Sequence, residues 1–369
     1  MIYFDSAATT FQKPVAVPNA VLRAMQTCAS VGRGGHAAAM AAAETVYNCR
    51  LMASDLFDAE PEQVVFTMNA THALNAAIFS VLSPGARVVV SGFEHNAVTR
   101  PLHALHADVR TAGEKLFDEE DTLRAFARAI AEQPDAVVCT HVSNVFGYIL
   151  PVEKIAAMCR ERKIPFILDA SQSAGTLPIS LRQTGASFIA MPGHKGLYGP
   201  QGTGILLCAD AGRPLMYGGT GSNSEDQAMP AFLPDRMEAG THNVCGIAGL
   251  IEGMRFVRKQ TAEAIFRHER ELLAYAKREL SEQKNVRLFT GEGQAGVLSF
   301  RVEGEDCEEV AQALAQEGIA VRAGLHCAPL AHGSAGTADT GTVRLSFSAF
   351  NTPHEVRRFA LLCKKLFPA

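Results

Sequence analysis

Two apolar runs, each followed by polar residues, decide the fold of this chain. The first is Ile164-Pro-Phe-Ile-Leu-Asp-Ala-Ser-Gln172, and the second is Phe188-Ile-Ala-Met-Pro-Gly-His-Lys-Gly196. Short apolar runs of this kind predict buried strands. In a parallel sheet, the polar residues that follow the strands collect at the carboxyl edge, where ligands bind. We therefore expect Asp169, Gln172 and Lys195 to lie close together.

A lysine and a buried carboxylate are the pair that pyridoxal phosphate (PLP) requires. The lysine forms a Schiff base with the cofactor aldehyde, and the carboxylate keeps the pyridine nitrogen protonated so that the ring can act as an electron sink. A lysine beside glycine is usually just a solvated side chain. Lys195 comes after Asp169 and Gln172, however, and before the glycine-rich segment Gly199–Gly204. This order favours a PLP site.

Apolar runs alternate with helical patterns along the first half of the chain. The predicted strands are 64–67, 87–91, 136–140 and 164–169. The predicted helices lie near 71–82, 97–107, 120–133 and 152–162. Such alternation predicts βαβ units, and hence an α/β fold with a mostly parallel sheet and helices on both faces.

The order of elements changes after Pro230–Asn243, where we expect a domain boundary. A long amphipathic helix near 244–283 would lead into a smaller α+β layer. That layer would contain strands near 295–302, 318–323 and 342–348, and helices near 305–317 and 353–366. The prediction is a large domain of residues 15–243 and a small domain of residues 1–14 and 244–369. The loop Tyr217–Glu225 fits a linker and an active-site lid equally well.

Composition excludes several other classes of protein. A chain of 369 residues is too long for one simple core. The net charge of −4, with no basic stripe, argues against nucleic acid as a partner. The absence of a long apolar stretch and of a signal-like start argues against a membrane. The nine cysteines include no C-x-x-C pair, which fits reduced thiols in the cytoplasm and no disulfide framework or metal site.

Other polar residues also follow predicted strands. The segment Phe66–Thr71 leads into a helix whose first backbone amides would bind a phosphate, with the Thr71 hydroxyl as a further donor, although Thr71 could simply be the N-cap. His95 is either a satisfied structural residue or a ring that stacks on a flat cofactor. The Asn144 amide would reach the ring substituents or a substrate carboxylate.

Seven separated motifs together resemble the class V aminotransferase fold and, within it, the cysteine desulfurase family. They are Tyr3–Thr10, Gly32–His36, Glu94–Asn96, His141–Asn144, Asp169–Gln172, Gly193–Lys195 and Arg322–Cys327. The resemblance runs from residue 3 to about residue 352. It implies a PLP-dependent transferase fold of the aspartate aminotransferase type, with a seven-stranded sheet and a smaller C-terminal domain.

The resemblance implies a role for each matching residue around the cofactor. Lys195 would form the Schiff base and move the substrate Cα proton. Asp169 would pair with the pyridine nitrogen, Gln172 would bond the phenolic oxygen, and His95 would stack on the ring and take part in catalysis.

The resemblance also implies how the phosphate and the substrate are bound. The Ala70 amide, Thr71 and His194 would hold the phosphate. Thr241 would reach the phosphate of a neighbouring subunit, which implies a homodimer with shared active sites. Arg344 would clamp the substrate carboxylate, because a guanidinium binds a carboxylate through two hydrogen bonds.

Cys327 lies where the family places its nucleophile. There, a thiolate on an accessible loop attacks the sulfur of bound L-cysteine, alanine leaves, and the resulting persulfide passes to an acceptor protein or a thiol. His326 and Arg322 would favour the anion, and the small residues of 328–341 would let the loop move. Alternatively, Cys327 is a small buried hydrophobe like other cysteines.

Some residues depart from the family pattern, and other functions remain open. Pro192 stands where many relatives have a hydroxyl residue, and His242 stands where proline is common. Cys327 lies only 17 positions before Arg344, which resembles the short-loop branch that often relies on a partner to accept sulfur.

The alternatives to a cysteine desulfurase are a selenocysteine lyase, a class V transaminase or β-lyase that acts without Cys327, and a cofactor-free scaffold. The intact Lys195 and Asp169 argue against the scaffold.

Overall fold

The computed structural model describes residues 1–32, 34–222 and 224–368. Its helices are α1 (Ala16–Thr27), α2 (Ala37–Phe57), α3 (Ala70–Val81), α4 (Asn96–Ala104), α5 (Glu119–Ala131), α6 (Val152–Glu161), α7 (Leu181–Thr184), α8 (Val244–Gln260), α9 (Ala262–Ser281), α10 (Cys307–Gln316), α11 (Pro329–Ala335) and α12 (Pro353–Leu366). Its strands are β1 (Ile2–Tyr3), β2 (Val64–Thr67), β3 (Arg87–Ser91), β4 (Asp108–Ala112), β5 (Ala136–Thr140), β6 (Phe166–Asp169), β7 (Phe188–Pro192), β8 (Gly204–Cys208), β9 (Val286–Phe289), β10 (Val297–Val302), β11 (Ile319–Ala320), β12 (Arg322–Gly324) and β13 (Thr342–Ser346).

The central sheet has seven strands in the order β2-β8-β7-β6-β5-β3-β4. Strand β8 runs antiparallel to both of its neighbours, and the other strands are parallel to one another. The predicted mostly parallel seven-stranded sheet is therefore confirmed. Strand β4 was not predicted, because this edge strand exposes Asp108, Val109 and Arg110 and lacks an apolar run.

Both faces of the central sheet are buried. Val89, Val137 and Leu168 belong to one apolar cluster, whereas Val88 and Val138 belong to a cluster on the other face. Successive side chains of a strand point to opposite faces, so a sheet covered on both sides needs apolar residues at every position. This explains why β3, β5 and β6 appear in the sequence as continuous apolar runs.

A smaller layer is built around a four-stranded antiparallel sheet in the order β12-β13-β10-β9. Strand β1 pairs in parallel with β11, which brings the N-terminal residues to this layer. The predicted α+β layer is therefore present. Among the described residues, no helix has both the length and the apolar character needed to cross a membrane.

The predicted single helix near 244–283 is wrong, because the structure divides it into α8 and α9 at Thr261. This residue has a φ of 66°, which a β-branched residue seldom adopts, and its side chain caps α9 by accepting from the Ala264 amide. The buried face of α8, including Leu250 and Met254, packs in the core of the central sheet.

The boundary after residue 243 stays a prediction, and we propose from this packing that the division lies nearer Thr261.

Two predicted segments are only partly described. The motif Gly32–His36 contains Arg33, and the loop Tyr217–Glu225 contains Asn223; both of these residues lie outside the described part of the chain. The choice between a linker and a lid for that loop stays open.

A buried ion pair joins α2 to the segment before α8. Arg50 donates from Nη1 and Nη2 to the two carboxylate oxygens of Glu238, and His242 Nε2 lies 2.6 Å from Glu238 Oε2. Arg50 and Glu238 are each 8% exposed. Removing one partner of such a pair leaves the other charge buried and poorly compensated.

We expect Arg50→Ala to lower the free energy of unfolding by about 3–5 kcal/mol. Arg182→Ala is the matched control, because Arg182 also binds two carboxylates but has a side chain that is 66% exposed. The control should lose at most about 1 kcal/mol. Chemical denaturation of the three proteins measures both values, and equal losses in the two variants would contradict this account of the buried pair.

Candidate active site

A cavity opens at the carboxyl edge of the central sheet, where the predicted site residues converge. Its wall includes Ala70, Thr71, His95, Asn144, Asp169, Gln172, His194 and Lys195. These residues lie at or after the ends of five different strands and are as much as 125 positions apart in the chain, from 70 to 195. The parallel order of the strands brings them together, as expected for this class of fold.

Two glycines shape the turn that carries Lys195. A Cβ atom on Gly193 would lie 2.1 Å from Thr203 Oγ1, and one on Gly196 would lie 2.3 Å from the Ala174 carbonyl oxygen. Both distances are far below van der Waals contact, so any larger residue would push the turn away from its neighbours. The glycines therefore fix where the lysine enters the cavity.

The environment of Lys195 favours a reactive amine. Burial lowers the pKa of Lys195 to about 8, and the nearby positive charges of Arg344 and Arg322 add to this effect, while Asp169 opposes it. Near neutral pH the ammonium still predominates, but the uncharged amine is far more populated than in an ordinary lysine. An uncharged lysine amine is the form that attacks an aldehyde.

Asp169 has one carboxylate oxygen available to a ligand. The residue is 2% exposed, and its Oδ1 accepts a hydrogen bond of 2.9 Å from the Ser171 amide. No described residue bonds the other oxygen, and the side chain lines the cavity. Gln172 Nε2 donates to the Ala7 carbonyl at 3.0 Å, which fixes the neighbouring amide. This arrangement fits a protonated ring nitrogen beside Asp169.

Helix α3 presents its N-terminus to the cavity. Its N-cap is Asn69, whose side chain accepts from the His72 amide at 2.9 Å. The alternative that Thr71 is the N-cap is therefore wrong. The Ala70 and Thr71 amides belong to the first turn, which has no intrahelical partners, so they are available to an anion.

Both histidines of the cavity are in contacts that favour the neutral ring. His95 caps α4, with Nδ1 accepting from the Ala97 amide at 3.0 Å, so that Nε2 carries the proton. Burial lowers the pKa of His95. His194 Nδ1 lies 3.0 Å from Thr9 Oγ1, and burial, with the charge of Lys195, lowers the pKa of His194 to about 4. His95 is thus a structural cap that also lines the cavity.

Arg344 is committed to contacts within the protein. It is 1% exposed, forms an ion pair with Asp5, and donates from Nη1 to the Asn144 carbonyl at 3.0 Å. Its Nε is buried without a partner among the described residues. In this conformation Asp5 binds the Arg344 guanidinium, which was predicted to bind the substrate carboxylate. Substrate binding by Arg344 therefore stays a prediction. Asp5 lies within the Tyr3–Thr10 motif but was not singled out.

Arg322 was predicted only as a neighbour of the thiol. The structure places it close enough that its charge lowers the pKa of Lys195 and of His95. No described residue accepts a hydrogen bond from its guanidinium. Its position on β12, directly before the Cys327 loop, was the signal in the sequence that could have suggested a role at the cavity.

Cys327 is exposed, and its backbone is fixed against the cavity wall. The Asn96 amide donates to the Cys327 carbonyl at 2.7 Å, and Asn144 Nδ2 donates to the His326 carbonyl at 2.8 Å. His326 and Cys327 have φ angles of 51° and 56°. Left-handed conformations of residues other than glycine store strain, which is concentrated at functional sites. The alternative that Cys327 is a buried hydrophobe is wrong.

The segment after Cys327 is more ordered than the sequence suggested. Residues Pro329–Ala335 form α11, in which Ala331 and His332 are fully buried. Ser334 Oγ also donates to the Gly92 carbonyl at 2.8 Å. Small residues predicted an open loop, but here they allow close packing of the helix against the central sheet.

Thr241 lies outside the cavity. It is exposed and lines a separate pocket with Met68, His72 and Glu238. Its contact with the phosphate was predicted for a neighbouring subunit, and that contact stays a prediction.

Glu94 links the ends of strands β3 and β5 beside the cavity. Its place in the sequence predicted no role other than membership of the Glu94–Asn96 motif. Its Oε1 accepts from the Thr140 amide at 2.8 Å and from the Ser91 hydroxyl, whereas Oε2 is buried without a partner among the described residues. Burial, with a smaller contribution from the charge of Asp169, raises the pKa of Glu94 to about 8 from its ordinary value of 4.5. Glu94 is therefore mostly protonated at neutral pH.

The stability of the apoprotein should depend on this proton. Between about pH 4.5 and about pH 8 the folded state retains a proton that the unfolded state has lost, so stability falls as the pH rises through this range. We expect Glu94→Gln to remove the contribution of this one proton and so to reduce the slope by up to about 1.4 kcal/mol per pH unit. Denaturation of both apoproteins across the range measures the slopes, and parallel slopes would show that Glu94 is ionised in the fold.

A reactive lysine, a buried carboxylate and a helix N-terminus around one cavity define an enzyme of the class that binds PLP through a lysine. The aminotransferase class-V family model matches residues 2–359. The chain therefore belongs to the class-V aminotransferase family, whose members depend on PLP.

Known proteins place the chain more narrowly, among the cysteine desulfurases of this family. A probable cysteine desulfurase of Xylella fastidiosa (strain 9a5c) is 33% identical, and the alignment covers 97% of this chain and 89% of that protein. One of Mycolicibacterium paratuberculosis is 31% identical over 99% of this chain, which spans only 55% of that relative's length. The apo structure of a cysteine desulfurase from Thermococcus onnurineus NA1 has a TM-score of 0.91 and 30% identity, with 99% of this chain and 94% of that chain covered.

Proposed function

We propose that the protein is a PLP-dependent cysteine desulfurase that converts L-cysteine to L-alanine and passes the sulfur through Cys327 to an acceptor. The observation that carries the proposal is the position of Cys327. The thiol is exposed, and its backbone is bonded to Asn96, the residue after His95 on the cavity wall. A transaminase would have no use for a strained, accessible cysteine at this place.

The residues present fit PLP. Lys195 would bond the aldehyde, Asp169 would pair with the ring nitrogen, Gln172 would bond the phenolic oxygen and His95 would stack on the ring. The phosphate would bind at the start of α3, through the Ala70 and Thr71 amides, with His194 beside it. When bound, PLP withdraws electrons from the substrate Cα, which acidifies the Cα proton and weakens the Cβ–S bond.

Two residues of the chain would carry the reaction. The Lys195 amine takes the Cα proton and later returns a proton to the substrate. The Cys327 thiolate attacks the substrate sulfur, forming an S–S bond while the Cβ–S bond breaks and its electron pair passes to the substrate carbon. The substrate gains a proton at Cβ and leaves as alanine, and the enzyme retains the sulfur as a persulfide. Arg344 or Arg322 would bind the substrate carboxylate.

The same geometry supports a proposal about assembly and location. Thr241 is exposed away from its own cavity, which suits a homodimer in which it reaches the neighbouring phosphate. The ordered α11 leaves Cys327 little freedom, and this supports a sulfur-acceptor protein that comes to the thiol. All nine cysteines are free, as expected in the reducing cytoplasm.

The test is product analysis with purified, PLP-loaded protein, L-cysteine and a thiol reductant. We expect alanine and sulfide in equal amounts. A parallel assay with L-selenocysteine measures which substrate has the higher kcat/KM. Absence of alanine from both substrates would reject the proposal, and keto-acid formation without sulfide would indicate a transaminase instead.

A further inference from the structure

A second, smaller cavity lies beside Lys195, on the side facing the small layer. Ser171, Gln172 and Lys195 line both cavities and so form the partition between them. The far wall of the small cavity is made by Glu269 of α9 and by Gly296. Nothing in the proposed reaction uses this space or this carboxyl group.

Glu269 is a buried acid without a protein partner. It is 7% exposed, and no described residue donates a hydrogen bond to its carboxyl group. Gly296 leaves the room that the side chain needs, because a Cβ atom there would lie 2.7 Å from Glu269 Cβ and 2.9 Å from Oε2. A buried carboxyl group left unpaired is costly, so the cavity must supply its partner.

The cavity has the size and the chemistry to bind water. Its volume is about 40 Å³, and roughly 10–15 Å³ of such space holds one water molecule. Its wall carries polar groups from Thr10, Gln172 and Ser346 as well as Lys195 and Glu269. A bound water needs two to four polar partners, and this wall offers enough of them for a short chain of waters.

We propose that this cavity holds water and that Glu269 exchanges a proton with Lys195 through it. After Lys195 has taken the substrate Cα proton, its ammonium gives a proton to the nearest water of the chain, and the last water of the chain gives one to the Glu269 carboxylate. The reverse sequence returns a proton from the Glu269 carboxyl group to the Lys195 amine. No bond other than O–H and N–H bonds changes, and Glu269 acts on the substrate only through Lys195.

The acidities of the two groups support this exchange. Burial raises the pKa of Glu269 to about 8 and lowers that of Lys195 to about 8. A proton shared by groups of equal pKa moves in either direction at little cost. The remaining titratable group on the described wall is Tyr198, and burial, with the charge of Glu269, raises its pKa so that it stays protonated.

The inference rests on the proposed function only in that Lys195 must act as the base at Cα. The experiment compares Glu269→Gln with Glu271→Gln, which changes an exposed glutamate on the same helix. Exchange of the Cα hydrogen of L-alanine with deuterated solvent is followed by NMR in both PLP-loaded variants and in the wild type. We expect Glu269→Gln to exchange the Cα hydrogen about 10-fold more slowly with unchanged KM. Glu271→Gln should match the wild type.

A high-resolution crystal structure of the wild-type holoenzyme provides a second readout that needs no substitution. It should contain ordered water bonded to Glu269 and to Lys195. A dry cavity, or exchange at the wild-type rate in Glu269→Gln, would overturn the inference. Absence of exchange in the wild type would instead count against the proposed function, so the two failures are distinguishable.

Discussion

Alanine formation from L-cysteine should fall by about 10⁴-fold or more when Lys195 is replaced by alanine. The substitution removes the amine that bonds the cofactor aldehyde and also the base that takes the Cα proton. These two losses affect different steps, and both steps require the same amine. Because the turn around Lys195 is set by Gly193 and Gly196, the fold should tolerate the smaller side chain.

The measurement combines alanine release with chemical labelling. Borohydride reduction followed by mass spectrometry should attach the cofactor to Lys195 in the wild type and to no residue in Lys195→Ala. Lys115→Ala is the control, because that side chain is 66% exposed and forms only a surface ion pair. Cofactor fixed to another lysine in Lys195→Ala would contradict the assignment.

Cys327→Ala should reduce sulfide and alanine release from L-cysteine by about 10³-fold or more. Without the Cys327 thiolate, the nucleophile that would accept the substrate sulfur is missing. Exchange of the Cα hydrogen of L-alanine should stay within about 2-fold of the wild type, because it uses the Lys195 amine and does not involve the thiol. The thiol therefore affects the sulfur step selectively.

A matched cysteine variant separates this effect from a general loss of thiols. Cys28→Ala removes a partly exposed thiol at the end of α1 and should retain wild-type release. Mass spectrometry of the wild type after turnover without reductant should find one additional sulfur on Cys327. Equal sulfide release from Cys327→Ala and the wild type would reject the persulfide route and would favour a β-lyase.

The central sheet and most of the cofactor site follow from local sequence. Strands β2, β3 and β5 have the predicted bounds, because each is a short apolar run between turn residues. Polar residues that directly follow such strands, including Asp169 and Lys195, converge once the sheet is parallel. Their grouping is thus determined by strand order rather than by detailed packing.

The small layer was less predictable. An amphipathic pattern continues across Thr261, and it does not reveal that α8 packs on the central sheet while α9 packs on the small one. Likewise, the small residues after Cys327 are compatible with a mobile loop and with a tightly packed helix. Only the neighbouring surface selects between these conformations.

Local sequence was enough to predict the class of fold, the lysine–carboxylate pair and the position of Cys327. The exposure of the Cys327 thiol and the partners of the buried charges are set by how the layers pack. Arg344 pairs with Asp5 across 339 positions of chain, and Glu269 and Lys195 line the same cavity between the two layers. Periodicity and motif spacing report which residues share a strand or a helix. They carry no information on which distant side chains meet, because that depends on how the layers pack and on which charges are removed from water together.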